Sequence, residues 1–176
     1  MCRVAADFRA GDRWPDILLV GACPGRDEEI QRRPFAGQAG WNLCGMMASL
    51  HDHRPDLFLS GVPDDYSMLN AHPLPRYRQR ADFNGRTQPT ENEVLSQENR
   101  LRLIVRLQQV DPRIILYLGI AAEFIHPIVR ENCPAARAFR TGHPSTSAWN
   151  TCRNYLGRPK AEKIQRWARD KLSPVL

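Results

Sequence analysis

The sequence contains few cysteines and no long apolar run. None of its five cysteines forms a CxxC pair with another, so it offers no disulfide framework, zinc knuckle or four-cysteine cluster. No apolar run approaches the length that spans a bilayer, and charged residues between Arg3 and Asp12 interrupt any apolar export signal. We therefore expect a cytoplasmic protein with reduced thiols, without a membrane partner, and without a metal or a cofactor.

Lysine is also scarce, although the chain is basic. Only 3 of its 25 basic residues are lysines, and the formal net charge is +6. A positive surface favours a polyanionic partner, and the planar guanidinium of arginine binds phosphate oxygens bidentately. Nucleic acid leads the possible partners, although a codon bias toward arginine would give the same count. A chain of 176 residues forms most simply one domain, residues 1–176, which we expect to be monomeric.

Two common nucleotide-binding motifs are missing from the turn Gly21–Gly25, GACPG. No Gly-Lys-Ser/Thr follows it, which excludes a P-loop, and it lacks the GxGxxG pattern of dinucleotide sites. Cys23 could act as a nucleophile, but a phosphatase-like loop would need an arginine where Glu29 stands. A half-buried, unreactive thiol fits this position better. A small-molecule hydrolase that uses Cys23 and His143 stays open as an alternative.

The pattern of apolar segments predicts an α/β fold. Short apolar runs predict buried strands at Asp16–Gly21, Asp65–Asn70 and Arg113–Gly119, with a fourth strand just before Thr141. Helical periodicity is present at about Gln38–Leu50, Glu91–Gln109, Ile120–Arg130 and Pro159–Leu172. The alternation predicts a three-layer α/β/α sandwich around a central, mostly parallel four-stranded sheet, with ligands at the carboxyl ends of its strands.

One polar segment separates the second strand from the helix that follows it. Arg76–Pro89 is rich in arginine and contains glycine and proline, which predicts a surface loop. Thr90 then precedes the helix, with Glu93 three residues on. This spacing predicts a capping box at the start of the helix.

Four segments carry a family resemblance by their order along the chain. They are VGACPGRDEEIQRRPFAGQAG, SMLNAHPLP, PTENEV with RIILYLG, and TGHPST. In this order they resemble the uracil-DNA glycosylase superfamily, whose families 4 and 5 carry G-E-A-P-G with R-P-F-x-G-x-A-G, a T-N strand end, P-T-x-x-E and an H-P-S loop. The resemblance covers Asp16 to Thr146. It implies a monofunctional DNA glycosylase that removes uracil or a related base and leaves an abasic site.

The resemblance also implies roles for three residues in a pocket for a base flipped out of DNA. The ring of Phe35 would replace the stacking that the base loses, and the carboxamide of Asn70 would match the N3–H and O4 edge of uracil. A hydrogen bond from His143 to O2 would stabilise the departing uracil anion. His143 and Asn70 are therefore the expected catalytic residues. Taken alone, Phe35 would be a core aromatic and Asn70 a turn residue.

The turn after the first strand and the loop after His143 supply the other expected contacts. Beside Phe35 and Asn70, the expected base-pocket residues are Gly21, Ala22 and Cys23. The residues expected to contact DNA are Pro24, Gly25, Gln38, Ser145, Thr146 and Trp149. Backbone N–H groups at such turns can bind phosphate. Trp149 would fill the gap that the flipped base leaves in the DNA. The alternative is that Trp149 packs in the core.

The sequence departs from the family pattern where relatives carry an acid. Family 4 has a glutamate where Ala22 stands, and family 5 has an aspartate near Gln38. The attacking water would then be held by a main-chain carbonyl, by Gln38, or by one of the acidic residues Asp27–Glu29. Loss of general-base help, typically worth ~100- to 10,000-fold, predicts a slow enzyme.

The same departures leave two alternatives open. A glycosylase fold could bind DNA or a flipped base with little or no turnover. The space beside Ala22 could instead admit a bulkier base, such as hypoxanthine or a modified pyrimidine. The iron–sulfur cysteines of family 4 have no counterparts at the matching positions, so we expect no cluster.

Overall fold

The central sheet has six strands in the order β1-β3-β2-β4-β5-β6. The computed structural model describes residues 7–150 and 152–176, apart from the side chains of residues 146 and 147. The strands are β1 (Phe8–Arg9), β2 (Trp14–Gly21), β3 (Tyr66–Asn70), β4 (Ile114–Leu118), β5 (Arg137–Thr141) and β6 (Ser173–Pro174). The four inner strands are parallel, and the outer two run antiparallel to their neighbours.

The prediction of a mostly parallel sheet is confirmed, but the predicted number of four strands is wrong. The two additional strands, Phe8–Arg9 and Ser173–Pro174, are two residues long. A segment this short carries no alternating pattern, so the apolar runs of the sequence reveal only the inner strands. The predicted strands at Asp16–Gly21 and Arg113–Gly119 are present with small changes at their ends.

Helices cover both faces of the sheet. They are α1 (Arg26–Gln31), α2 (Gln38–His53), α3 (Glu91–Val94), α4 (Gln97–Val110), α5 (Ile120–Glu123), α6 (His126–Asn132), α7 (Thr146–Asn150) and α8 (Lys160–Asp170). Two predicted helices, Glu91–Gln109 and Ile120–Arg130, are each divided into two. The predicted capping box is present, because Thr90 Oγ1 accepts from Glu93 N–H and Glu93 Oε2 accepts from Thr90 N–H.

The side chains of β2 point alternately to the two faces of the sheet, and this produces the three layers that the sequence predicted. Ile17 and Leu19 belong to one buried cluster, which includes residues of α2 and α8, whereas Leu18 and Val20 belong to a second cluster with residues of α4 and α6. Successive side chains of a strand point to opposite faces, so both faces of the sheet are covered by apolar helix surfaces. None of the helices in the described part of the chain is long and apolar enough to cross a membrane.

The parallel strands bring their carboxyl ends to one edge of the sheet. Gly21 pairs with Asn70, and Leu118 pairs with Thr141. The loop after β5 then passes close to Gly119, where an added Cβ would lie 3.1 Å from the Cβ of His143. Asn70 and the loop that carries His143 therefore lie at this edge.

Candidate active site

A cavity of about 290 Å³ opens at the carboxyl edge of the sheet. Phe35, Asn70 and His143 all line it. Of the other residues selected from the sequence, the cavity wall includes Ala22, Cys23, Gly25 and Ser145. An aromatic ring, a carboxamide and an imidazole thus face one space, although they lie far apart in the sequence.

Phe35 occupies the link between α1 and α2 in an unusual backbone conformation. Its φ is 53°, in the left-handed region that side chains other than glycine rarely adopt. Its N–H donates to Glu28 Oε1 at 2.7 Å, and only 8% of the residue is exposed. An added Cβ at Gly40 would lie 1.8 Å from the carbonyl oxygen of Phe35. The start of α2 therefore packs directly on this link and holds the ring over the cavity.

Gly21 lets Phe35 and Asn70 meet at the end of β2. An added Cβ at Gly21 would lie 2.7 Å from Cζ of Phe35 and 2.5 Å from Oδ1 of Asn70. Both distances are shorter than any van der Waals contact allows. Gly21 is not among the residues that line the cavity, and it contributes by giving room to its two neighbours.

Asn70 ends β3 with its side chain buried, at 1% exposure. Its Nδ2 lies 3.4 Å from Glu28 Oε1 and donates to it. The backbone of Asn70 is held as well, because its N–H donates to Asp7 O and its carbonyl accepts from Arg102 Nη2. The orientation of the carboxamide is therefore set by a carboxylate that faces its nitrogen.

Glu28 is the residue that joins these groups, and the sequence did not single it out from its acidic neighbours. It is 8% exposed, and its Oε2 accepts from Gly25 N–H at 2.6 Å. Burial raises the pKa of Glu28, and the hydrogen bonds from Gly25 and Phe35 partly oppose that rise. The sequence feature that could have identified Glu28 is its capping-box spacing from Gly25, because it is the third residue of α1. At that position a carboxylate reaches back to the backbone N–H groups at the start of the helix.

His143 is held as a neutral imidazole with a defined tautomer. Its Nδ1 accepts from Ser145 N–H at 3.1 Å, so the proton of the neutral ring lies on Nε2. Burial lowers the pKa of His143 to about 4. At neutral pH the imidazole therefore offers an N–H donor without a positive charge.

The loop that carries His143 is fixed from two sides. Trp167 Nε1 of α8 donates to His143 O at 3.1 Å, and Thr141 Oγ1 donates to Ala168 O at 2.7 Å. On the other side, the buried Asn42 donates through Nδ2 to Pro144 O at 2.7 Å. All three hydrogen bonds are accepted by backbone carbonyls of the loop or of α8. They therefore fix the path of the loop without using the ring of His143.

Gln38 and Gly25, which the sequence predicted to contact DNA, make hydrogen bonds within the protein. Gln38 Nε2 donates to Asn42 Oδ1 at 3.0 Å, so Gln38 supports the fixed loop of His143. The N–H of Gly25 already donates to Glu28, and the carbonyl of the buried Pro24 accepts from Arg76 N–H at 2.9 Å. The Gly25 amide is therefore not available to a phosphate while Glu28 holds it.

The prediction of Trp149 as a wedge is wrong for this structure. Trp149 has no exposed surface and belongs to the apolar core between α2, α8 and the sheet. A side chain packed there cannot enter a DNA duplex without opening the core, so core packing was the correct alternative. Ser145 lies at the cavity wall, and Ala148 is half-buried. The side chain of Thr146 lies outside the described residues.

Cys23 is a poor nucleophile in this position. Burial raises the pKa of its thiol to about 12, and the reactive form of a cysteine is the thiolate. Its Sγ lies 3.6 Å from Thr87 O and donates to it. The interpretation as an unreactive, half-buried thiol agrees with this geometry, and the small-molecule hydrolase has no support from it.

The described residues also do not provide ligands for an iron–sulfur cluster. Cys23, Cys44, Cys133 and Cys152 are all free thiols. Nowhere in the described ranges do three His, Cys, Asp or Glu side chains lie together in a group that could hold a metal ion.

The side chains that line the cavity define the class of ligand that it fits. An aromatic ring, an oriented carboxamide and a neutral imidazole N–H suit a planar heterocycle with N–H and carbonyl groups on its edge. The family profile of the uracil DNA glycosylase superfamily matches residues 8–169. The chain belongs to this superfamily, which confirms the resemblance carried by the four motifs.

One curated relative adds detail to the family assignment. A type-4 uracil-DNA glycosylase from Archaeoglobus fulgidus is 34% identical to this chain over 116 residues. The match covers 65% of this chain and 49% of the relative. The chain thus spans about half the length of the curated relative that it matches.

Proposed function

We propose that the protein is a monofunctional DNA glycosylase that hydrolyses the N-glycosidic bond of uracil and leaves an abasic site. The observation that carries this proposal is the meeting of Phe35, Asn70 and His143 at one cavity of about 290 Å³. A base inside a duplex cannot reach such a cavity, so the target nucleotide must leave the stack first. The net charge of +6 supports a polyanionic substrate.

Recognition of uracil would depend on the direction of the Asn70 carboxamide. With Nδ2 on the side of Glu28, the carboxamide of Asn70 would present Nδ2–H to uracil O4 and Oδ1 to N3–H. Cytosine presents an acceptor at N3 and an amino group at C4, which is the opposite pattern. Rotating the amide to fit cytosine would turn its carbonyl oxygen toward the carboxylate of Glu28, so uracil is favoured.

Bond cleavage would depend on stabilisation of the departing base. As the glycosidic bond lengthens, negative charge gathers on uracil N1 and O2, and the sugar becomes oxocarbenium-like. The Nε2–H of His143 can donate to O2, and this hydrogen bond strengthens as the charge develops. No proton transfer from His143 is required, because its low pKa keeps the ring neutral.

The structure narrows the candidates for the group that holds the attacking water. Of the acidic residues Asp27–Glu29, only Glu28 lines the cavity, and both its oxygens accept backbone N–H groups. Glu29 binds Tyr77 and Arg80 outside it. We therefore assign Glu28 to positioning Phe35 and Asn70. Under this assignment, leaving-group stabilisation by His143 would supply most of the acceleration, and a main-chain carbonyl remains the candidate that holds the attacking water.

A uracil-containing oligonucleotide tests the proposal directly. The protein should produce strand breaks after alkali treatment, without added metal, from single-stranded or duplex DNA. Tight, salt-sensitive binding of the same oligonucleotide without product would identify the chain as a base-binding relative and would contradict turnover. That the protein acts as a monomer in the cytoplasm stays a prediction from the sequence.

A further inference from the structure

Arg102 of α4 does not line the cavity, yet its side chain reaches the point where β3 ends. Its Nη2 donates to the carbonyl oxygen of Asn70 at 2.9 Å and to that of Ala71 at 3.0 Å. One guanidinium therefore bridges two successive backbone carbonyls. The first of them belongs to the residue whose carboxamide faces the cavity.

The guanidinium of Arg102 is itself held in place. Its Nη1 donates to Asp7 Oδ2 at 2.6 Å, and its Nε donates to Asn99 Oδ1 at 2.8 Å. The side chains of Arg102 and Asp7 are only 19% and 11% exposed. Asn99 also donates through Nδ2 to Ala71 O at 2.8 Å. Because the guanidinium is planar, these partners fix its direction toward the end of β3.

Asp7 holds the same residue of β3 from its other backbone group. The N–H of Asn70 donates to Asp7 O at 2.7 Å, while β1 pairs with β3 as far as Leu69. At the carbonyl of Asn70, Arg102 then stands where a longer edge strand would supply an N–H. The ion pair of Asp7 and Arg102 thus holds both the N–H and the carbonyl of Asn70.

This hold on the backbone determines where the carboxamide of Asn70 lies. Its hydrogen bond to Glu28 is long, at 3.4 Å, whereas the backbone groups of Asn70 make bonds of 2.7 and 2.9 Å. The short side chain follows any movement of the backbone that carries it. A misplacement of about 1 Å at a reacting site can cost ~100-fold in rate.

We infer that Arg102, paired with Asp7, is a positioning residue for base recognition, because it holds the backbone of Asn70 so that the carboxamide meets the edge of the base. The inference rests on the proposed glycosylase function and deepens it. Arg102 acts through Asn70 and does not itself contact the base. Recognition of the base then depends on an ion pair that lies outside the cavity.

The variant Arg102→Lys tests this role. Lysine keeps a positive charge for Asp7, but its ammonium group lacks the planar fork that bridges the two carbonyls. With a uracil-containing oligonucleotide and saturating protein, we expect the single-turnover rate constant to fall ~10-fold or more, with little change in DNA affinity. The rate constant is that of the bound complex, so a loss of folded protein does not enter it.

Arg106→Lys is the matched control on the same helix. Arg106 lies one turn after Arg102, places its guanidinium 4.6 Å from the ring centroid of Phe8, and donates to Gln109 Oε1 at 3.0 Å. It therefore also contacts β1, but it has no bond to the carbonyls at the end of β3. This variant should keep the rate constant of the unchanged protein.

A double-mutant cycle separates positioning of Asn70 from a general structural role. In an Asn70→Ala background, the carboxamide that Arg102 positions is missing. Arg102→Lys should then slow uracil release by less than ~2-fold, because the two effects act through one group and do not add. A purely structural role would slow release by the same factor in both backgrounds.

Amide hydrogen exchange measures the hold on the backbone without any substrate. The N–H of Asn70 should exchange ~10-fold or more faster in Arg102→Lys than in the unchanged protein, since hydrogen bonds from a charged donor are lost beside it. In Arg106→Lys its exchange should be unchanged. Equal protection of this N–H in all three proteins would overturn the inference.

The outcomes distinguish this inference from the proposed function. If the unchanged protein and Arg102→Lys release uracil at the same rate, the inference is wrong and the glycosylase function stands. Equal slowing by Arg102→Lys with and without Asn70 would also overturn the inference. If the unchanged protein releases no uracil, the proposed function fails, and the role in base recognition fails with it.

Discussion

The tautomer of His143 leads to a prediction that separates hydrogen-bond donation from acid catalysis. His143→Ala removes the Nε2–H that we place on uracil O2. Loss of one donor to a developing oxyanion typically costs ~100- to 1,000-fold in rate. We expect a loss of this size in the single-turnover rate of uracil release, with a much smaller change in DNA affinity. His53→Ala, at the exposed end of α2, is the matched control and should behave like the unchanged protein.

The pH dependence of the same reaction tests the charge state. Because the pKa of His143 is about 4, the ring is neutral throughout the range in which the protein is assayed. The rate should therefore stay level from about pH 5.5 to 8.5 and change only as pH approaches 4, where a proton on Nδ1 would break the hydrogen bond from Ser145 N–H. A rate that declines as pH rises through 6 to 7 would mean that an imidazolium is needed, and would refute the neutral donor.

Protein stability provides an independent measure of the same pKa. Burial holds the pKa of folded His143 at about 4, below its ordinary value of 6.5, so the unfolded chain takes up this proton first as pH falls. This contribution to stability is fully present above pH 6.5 and is lost between 6.5 and 4. A loss of roughly 3 kcal/mol is expected at pH 4. Denaturant unfolding of His143→Ala should lack this part of the pH dependence.

Three further predictions concern the groups around the base. Gly21→Ala should reduce cleavage at least ~100-fold, because the added Cβ would lie 2.7 Å from Phe35 Cζ and 2.5 Å from Asn70 Oδ1. Single-turnover rates measure this loss. A fully active variant would show that the side chains of Phe35 and Asn70 need not meet. Asn70→Ala should reduce the preference for uracil over cytosine more than it reduces DNA affinity, measured by competition between the two oligonucleotides; undiminished preference would assign recognition elsewhere. Glu28→Gln should lower the free energy of unfolding by about 1–3 kcal/mol, because the buried acceptor of two backbone N–H groups loses one oxygen. Denaturant unfolding measures this change. An unchanged free energy of unfolding would contradict the role of Glu28 in positioning Phe35 and Asn70.

The inner sheet and the meeting of the three main residues could be predicted from the sequence. Asn70 and His143 follow the ends of buried strands, and parallel strands bring such ends together, whereas Phe35 was grouped with them only through the family resemblance. The edge strands could not be predicted in this way, since two residues show no periodicity. The division of the predicted helix at Glu91–Gln109 also depends on local turns that apolar periodicity does not record.

The roles of Glu28 and Trp149 could not be predicted from the sequence, because they depend on the direction in which each side chain points. Three acids in a row at Asp27–Glu29 match the start of a helix equally well, and only the folded turn shows which one points inward. Trp149 lies in a five-residue helix, too short for its apolar face to be read from the sequence. Its burial depends on packing against α2, α8 and the sheet, which the short helix itself does not record.

The attachment of the His143 loop to α8 affects how the site becomes functional during synthesis. Thr141 and Trp167 join the loop to a helix that follows all residues of the cavity in sequence. A nascent chain that lacks α8 could contain every pocket residue and still leave the imidazole without its support. Under the proposed glycosylase function, catalytic competence would then be acquired only after α8 has been made.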